Sequence, residues 1–569
     1  MKIYHSIFRI ILYTLILLGV FNSSYSKTNN FNYDARNISN YFSGLVSFDD
    51  FEYQDSEKFF KKIDNFEKIQ NKYSSKLIQS LVNLEKFKEA KLYAKKIEKK
   101  NVSNFESNLI LGLSEFKKGK YIEAELYFNK LEPNIDNQII FSILKKSLIN
   151  WIEIVKTGDA NSLNSIKSLP NNYQNFKLIQ SSLANCFLDT NNTSKQFEKM
   201  ISNTNYDFSR YYFFYTNYLV QKNNFSKAKN LIENAAQQYP GNLLLNQYKK
   251  TIIEKERNKN QFSCKKPEDI LAEIFYIIAN ALSSSGSYQL SNFYTNLSKF
   301  LNPEFSSFNT LLAENFLYLK KYETAQNIYK KLSHVGSVYY WYSNKQISNI
   351  LNTTKNKSES INYFSKIYRS IKPNIYQTYD YANFLRSHEQ YDDSINLYTE
   401  ILSRIDENHQ LYPKVLDRRG MSYERVNKWT LAEKDLLMSL EKSPEEPYVM
   451  NYLAYSWVEK GKNIGQALEM LKKANNLKKN DGYITDSLGW ALYKLEKFLE
   501  AKKYLRMAVT IMPTDPVVND HFADCLWMND QKLQARYYWN YVLGLKSADK
   551  ELKENIEKKL LFGLEKIKL

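Results

Sequence analysis

The side chains best able to do chemistry are scattered. The five histidines, His5, His334, His388, His409 and His521, stand far apart along the chain, and no His, Cys, Asp or Glu set has the spacing of metal ligands. There is no glycine-rich phosphate loop and no Gly-x-Ser-x-Gly nucleophile elbow. The chain therefore reads as a non-enzyme, with no cofactor, no metal site and no small-molecule substrate. Binding chemistry is what remains. Near the C-terminal end, Asp417, Asn451, Asp486 and Asp520 recur at a nearly constant interval, accompanied by Met421, Tyr455, Trp490 and Asp524 and by Tyr483, Tyr493 and Trp527. Carboxylates and amides in such a row can bond backbone N–H groups or a basic side chain, and Tyr and Trp add apolar anchors with little rotamer entropy to lose. The same polar residues could instead tie neighbouring elements together by side-chain hydrogen bonds, with the aromatics as packing, and both readings stay open.

The interval belongs to a repeat that runs through the chain. Ser56, Ala90 and Ala124 stand 34 residues apart, as do Ala467, Ala501 and Ala535. That period is the length of a tetratricopeptide (TPR) unit, two antiparallel helices that cannot bury their apolar faces alone. Twelve residues before the anchor stands a second small residue, in Gly489 with Ala501, Gly420 with Ala432, Ala313 with Ala325, Gly112 with Ala124, Gly44 with Ser56 and Ala523 with Ala535. In this reading Gly489 and Ala501 let the two backbones approach where the helices cross. Weaker anchors at Ala160 and Ser194, with Ala228, Ser291, Ser360 and Ser394, complete an all-α TPR helical-hairpin solenoid, a superhelix of about fourteen units. In such arrays the second, fifth, ninth and twelfth residues of the first helix line the inner face. Counted from Gly420, Ala454, Gly489 and Ala523 at the eighth, the second positions are Lys414, Tyr448, Tyr483 and Val517. The fifth are Asp417, Asn451, Asp486 and Asp520, the ninth Met421, Tyr455, Trp490 and Asp524, and the twelfth Glu424, Val458, Tyr493 and Trp527.

Composition suits a long helical array: only 15 Gly and 11 Pro punctuate 569 residues, and 45 Tyr and 33 Phe supply bulk to set against the small anchors. Stacked repeats bury a core between neighbours without long-range contacts, so length sets the number of units. Lys2 and Arg9 precede an apolar run from Ile10 to Val20, and Ser24-Tyr25-Ser26 is a small-x-small cleavage signal, so residues 1–26 read as a secretory signal peptide. An uncleaved inner-membrane anchor is the alternative, against which the run is short of the roughly 20 apolar residues that span a bilayer. The expected organisation is then an N-terminal array over 27–248, a charged junction over 249–268, a C-terminal array over 269–545 and a capping helix over 546–569. Of three cysteines, Cys525 reads as a small buried hydrophobe, and pairing of Cys186 with Cys264 stays open. The net charge of +18 could attract nucleic acid or an anionic membrane surface, but the lysines are spread along the chain like a solvated face, and export makes nucleic acid an unlikely partner.

The stretches Asn451 to Trp457, Asn480 to Trp490 and Asp515 to His521 resemble a family of exported TPR-array proteins of Gram-negative bacteria, over roughly 410 to 545 and more faintly from Pro267 to Pro303. The resemblance implies a non-enzymatic envelope protein that binds other proteins or peptides. TPR domains that clamp acidic chaperone tails use a basic set, from which this chain largely departs, so such a clamp is disfavoured. Asn217, Asn280, Asn349 and Asn383 occupy ninth positions, but only Asn349 has a lysine, Lys345, at the fifth, and the next unit offers Tyr376 and Asp380. Two readings follow: a periplasmic adaptor that holds partners in its inner groove, in envelope assembly, or a structural component of an export or cell-wall machine attached through its outer surface.

Overall fold

A computed structural model describes residues 35–63, 71–132, 138–256 and 260–564; the signal-peptide reading of 1–26 lies outside them. Among the described residues there are thirty α-helices and no strand, only an isolated antiparallel bridge between Asn260 and Phe305. The fold is an all-α helical-repeat solenoid. Helices pair along the sequence into thirteen packed hairpins, from Ala35–Asp49 with Tyr53–Phe60 to Pro516–Met528 with Lys532–Gly544. The unit anchored at Ser360 is divided, because the chain forms two compact bodies, with the division along the sequence between Thr354 and Lys355. The irregular segment 249–268 lies inside the first body. The short spacing after Ala228 has its own cause: Leu243–Ile253 is a single helix without a hairpin partner.

The anchors work by burial. Ala90, Ala124, Ala228, Ala325, Ala432, Ala467, Ala501 and Ala535 are fully enclosed, as are the serine anchors Ser56, Ser291, Ser360 and Ser394. Serine stands where the next unit's first helix offers a polar partner, since a buried hydroxyl must be bonded. Ser56 meets the Ser80 hydroxyl at 3.0 Å, Ser394 meets Ser422 at 3.0 Å, and Ser291 accepts from Asn315 Nδ2 at 2.8 Å. Two weak anchors are misplaced. Ala160 is exposed in a 3-10 turn, and Ser162 and Ile166 are the buried residues there; at the next unit Thr193 is the enclosed residue, its hydroxyl donating to the Asn185 carbonyl at 2.8 Å.

The glycines meet chiefly the residue four places after the anchor, although a Cβ on Gly420 would also lie 3.2 Å from the Ala432 carbonyl oxygen, as expected. A Cβ on Gly489 would lie 2.6 Å from Leu505 Cγ, one turn beyond Ala501, and Gly420 and Gly44 face Leu436 and Phe60 in the same way. The close approach thus admits the large side chain four residues after the anchor, and the anchor itself fits beneath it. Most first helices end in a left-handed residue, at Gly119, Asn223, Asn427 and Glu496 among others, followed by a six-to-one bond such as Lys120 N–H to the Glu115 carbonyl at 3.0 Å. This terminus satisfies the orphan carbonyls and reverses the chain within a few residues.

In the first body the core is not confined to neighbours. One apolar cluster runs from Tyr41 to Leu311 and takes in the hairpin Pro267–Ser284 and Tyr288–Leu301, which packs against repeats two hundred residues earlier. Asn296 Nδ2 donates to Asn83 Oδ1 at 3.1 Å, Lys299 pairs with Glu85 at 2.6 Å, and the rings of Phe87 and Phe300 lie 4.8 Å apart. The expectation of an array without long-range contacts therefore fails here, because this inner hairpin supplies apolar faces to the first repeats. A Cys186–Cys264 disulfide, Cα atoms 5.8 Å apart, joins Gln174–Leu188 to the segment leading into that hairpin. Cys525 is free and buried.

Candidate functional site

The groove register of the second body lies on four first helices, Tyr412–Arg425, Pro447–Glu459, Gly482–Lys494 and Pro516–Met528. Their starts are specified locally. Pro447 and Pro516 enter at the first turn, where no N–H is required, and the carboxylates of Asp481 and Asp515 each accept two N–H groups of the helices they cap.

Within the register the structure brings two groups together. Asp486 Oδ2 receives Nδ1 of His521 at 2.9 Å, and the His521 ring stacks on Trp490 with centroids 3.9 Å apart and planes at 11°. Trp490 in turn stacks on Tyr493 at 4.7 Å and donates its Nε1–H to Glu459 at 2.6 Å. Burial of the His521 ring works against its charge, but the carboxylates of Asp486, Asp520 and Asp524 outweigh it and its pKa is raised. In the last repeat, Lys559 of the terminal helix Lys550–Phe562 places its ammonium 2.7–2.8 Å from all four oxygens of Asp520 and Asp524. Asp524 also accepts from Trp539 Nε1 at 3.0 Å, and the Trp527 and Trp539 rings are 5.3 Å apart. Burial, with the Asp520 carboxylate beside it, pushes the Asp524 carboxyl up to about 7 against the pull of Lys559.

The remaining candidates stand apart from these clusters. Asp417 is buried beside Arg418 at 3.5 Å, and its other oxygen, Oδ1, has no hydrogen-bond partner, like Asn451 Oδ1 and Asp486 Oδ1. Burial raises the Asp417 pKa. Met421 Sδ lies 3.5 Å from Arg418 Nη1, and Tyr455 is half-buried 6.5 Å from the His521 ring. The fifth and ninth positions are thus mostly engaged by the chain's own residues. The second positions are open: Lys414 is exposed, Tyr448 is 51 %, Tyr483 58 % and Val517 44 % exposed, and Tyr376, at the same register two repeats before Tyr448, is 45 % exposed.

The sequence reading set His521 aside as isolated because it measured distance along the chain. Asp486 and His521 are 35 residues apart, one repeat, and residues one repeat apart are spatial neighbours in a solenoid. The first body carries the same register, with asparagines at several ninth positions. Asn217 donates to the Phe262 carbonyl at 2.7 Å, so it is a structural residue. Counting from Ala279 and Ala313 gives Tyr276 and Thr310 at fifth positions and Glu314 at a ninth, and these three line a cavity of about 260 Å³ together with Arg210, Asn242 and Tyr342. Arg210 is held there by Glu273, Nε and Nη2 each 2.8 Å from a carboxylate oxygen, with its guanidinium 4.0 Å over the Tyr276 ring.

No metal-binding group of three or more His, Cys, Asp or Glu side chains occurs among the described residues, and no helix among them is long and apolar enough to cross a membrane. No family model matches the chain. A TPR repeat-containing protein of Pseudomonas aeruginosa is 32 % identical over 145 residues, covering 23 % of this chain and 25 % of that protein, so the chain matches about a quarter of this relative's length. Among solved structures, a thermophilic TPR protein of Thermus thermophilus is 16 % identical, covers 33 % of this chain and all of its own, and gives a TM-score of 0.29. A tetratricopeptide repeat protein of Parabacteroides merdae is 14 % identical over 39 % of this chain and 87 % of its own, with a TM-score of 0.32.

Proposed function

We propose that this chain is a non-enzymatic scaffold that holds segments of other proteins against the groove register of its repeats. The observation that carries the reading is the row Tyr448, Tyr483 and Val517, exposed apolar side chains at one register position of three consecutive first helices, preceded there by Lys414 and, one first helix earlier, by the exposed Tyr376. Large apolar residues left open in series are a cost in water and a gain in an interface, and Tyr is favoured there because a rigid ring has little entropy to lose. Export to the periplasm and a role in envelope assembly belong to the same proposal. The basic, apolar and small-x-small order of residues 1–26 supports export, and so does the Cys186–Cys264 disulfide, a bond that persists in oxidising compartments. The alternative is attachment to an export or cell-wall machine through the outer surface; the exposed Leu499, Leu533 and Tyr537 of the second helices favour it.

Affinity capture from envelope fractions with wild type and with Tyr448→Ser plus Tyr483→Ser tests the reading. Both residues are exposed, so the melting temperature should be unchanged while partner recovery falls about tenfold, the equivalent of about 1.4 kcal/mol. Undiminished recovery would reject the groove, and loss with Leu499→Ser plus Leu533→Ser instead would establish the outer surface.

A further inference from the structure

The cavity at Glu314 has chemistry that the second body's row does not. Glu314 sits at a ninth position, half-buried; one carboxylate oxygen accepts from the Tyr342 hydroxyl at 2.8 Å, and no Lys, Arg or His of the described residues pairs with it. The one cation of the cavity wall, Arg210, is already matched in charge by Glu273, whose side chain is fully buried, so Glu314 carries the excess negative charge. An anionic guest would face that charge and would have to displace Glu273 from a two-bond pair. A buried carboxylate without a counter-ion is costly, and burial accordingly raises the Glu314 pKa. One wall suits positive charge as well: the Tyr276 ring already carries the Arg210 guanidinium, and Tyr342 lines the cavity with an aromatic ring of the kind that attracts ammonium and guanidinium groups. The same register position shows the outcome in the last repeat, where the ninth residue Asp524 holds the ammonium of Lys559. There the chain supplies its own lysine. At Glu314 it supplies none.

We infer that the Glu314 cavity is a specificity pocket for one basic side chain, lysine or arginine, of a bound protein segment. The volume of about 260 Å³ lies below the roughly 300–1,000 Å³ of sites that enclose a small molecule, and it suits a single long side chain. Tyr276, Thr310, Glu314 and Tyr342 are half-buried, not sealed, so a side chain can enter between them. The inference rests on the reading of the groove register as protein-binding and adds the chemistry of what that register selects in the first body.

The test is selection of a randomised peptide library on the immobilised full chain, comparing wild type with Glu314→Gln and Thr310→Lys. Glu314→Gln keeps the size of the side chain and removes its charge, and the lysine of Thr310→Lys stands four residues before Glu314, within reach of it on the helix. Circular dichroism melting of each variant reports folding independently. Wild type should enrich Lys or Arg at one peptide position by about tenfold, the equivalent of about 1.4 kcal/mol, and both variants should lose that enrichment while still retaining peptides. Peptides retained without basic enrichment, or basic enrichment that survives Glu314→Gln, would overturn the pocket and leave the groove reading standing. Retention of no peptide by any form would remove the groove reading and the pocket with it.

Discussion

Two buried charge clusters decide what single residues are worth in this molecule. Arg210 and Glu273 form a two-bond ion pair enclosed by Tyr276, Phe305 and Phe308, and burial raises the Glu273 pKa even though Arg210 opposes it. Removing one partner strands the other: Glu273→Leu should cost about 3–5 kcal/mol, and adding Arg210→Met should recover most of it, read from denaturation midpoints. Asp524 and His521 give the second body a pH dependence. Both have folded-state pKa values above their ordinary ones, so the stability they contribute is complete below the unfolded values and is lost as pH rises through the folded ones. For Asp524 the window runs from about 4, the ordinary aspartate value, to about 7, and the raised pKa of His521 adds a loss of the same sign as pH rises. The melting temperature of the second body should therefore be lower at pH 8 than at pH 5, and Asp524→Asn should flatten the difference; a rise with pH would contradict the arrangement.

At the scale of the hairpin, the glycine in the first helix, at Gly44, Gly112, Gly420 and Gly489, makes room for a side chain four residues past the anchor. Gly489 is filled against Leu505, so Gly489→Leu should destabilise by about 1–3 kcal/mol through overpacking. Gly465, on an exposed helical turn with nothing within 4 Å of its missing Cβ, is the control: Gly465→Ala should leave stability unchanged or raise it by about 0.5–1 kcal/mol. Equal losses at the two sites would mean that helix propensity, not packing, sets the requirement. The anchors were legible in the sequence because a fully enclosed position on a helix crossing admits only a small side chain, Ala or Ser at most units and Thr193 at one. Ala160 was misread because the second helix there is reduced to Ala160–Ser162 and Leu163–Lys167, too short to carry the periodic pattern.

At the scale of the whole chain, the two bodies follow different rules. The second is a nearest-neighbour stack whose core runs from Leu436 to Ile556 and closes under the terminal helix, whose Ile556 is fully buried. The first is drawn together by the hairpin 267–301 and by the disulfide that fixes its approach. Cross-linking positions 78 residues apart restricts the unfolded chain, so Cys264→Ser, or reduction of the wild type, should lower the stability of the first body by about 2–4 kcal/mol. Calorimetry with and without reductant checks this, and the second body's transition should not move.

The sequence by itself determined the helical hairpin, its repeat length, most of the enclosed small residues and which residues of successive first helices share a register, because these depend on side-chain size at fixed spacing within one unit or between neighbours. Only the tertiary structure decided which register residues are free. Lys559 and His521 occupy the acids of the last repeats, Glu314 is left without a cation, and the inner hairpin fills the first body. Each of those outcomes depends on a partner one repeat or two hundred residues away, and the periodic pattern of a unit carries no information about which distant side chain arrives there.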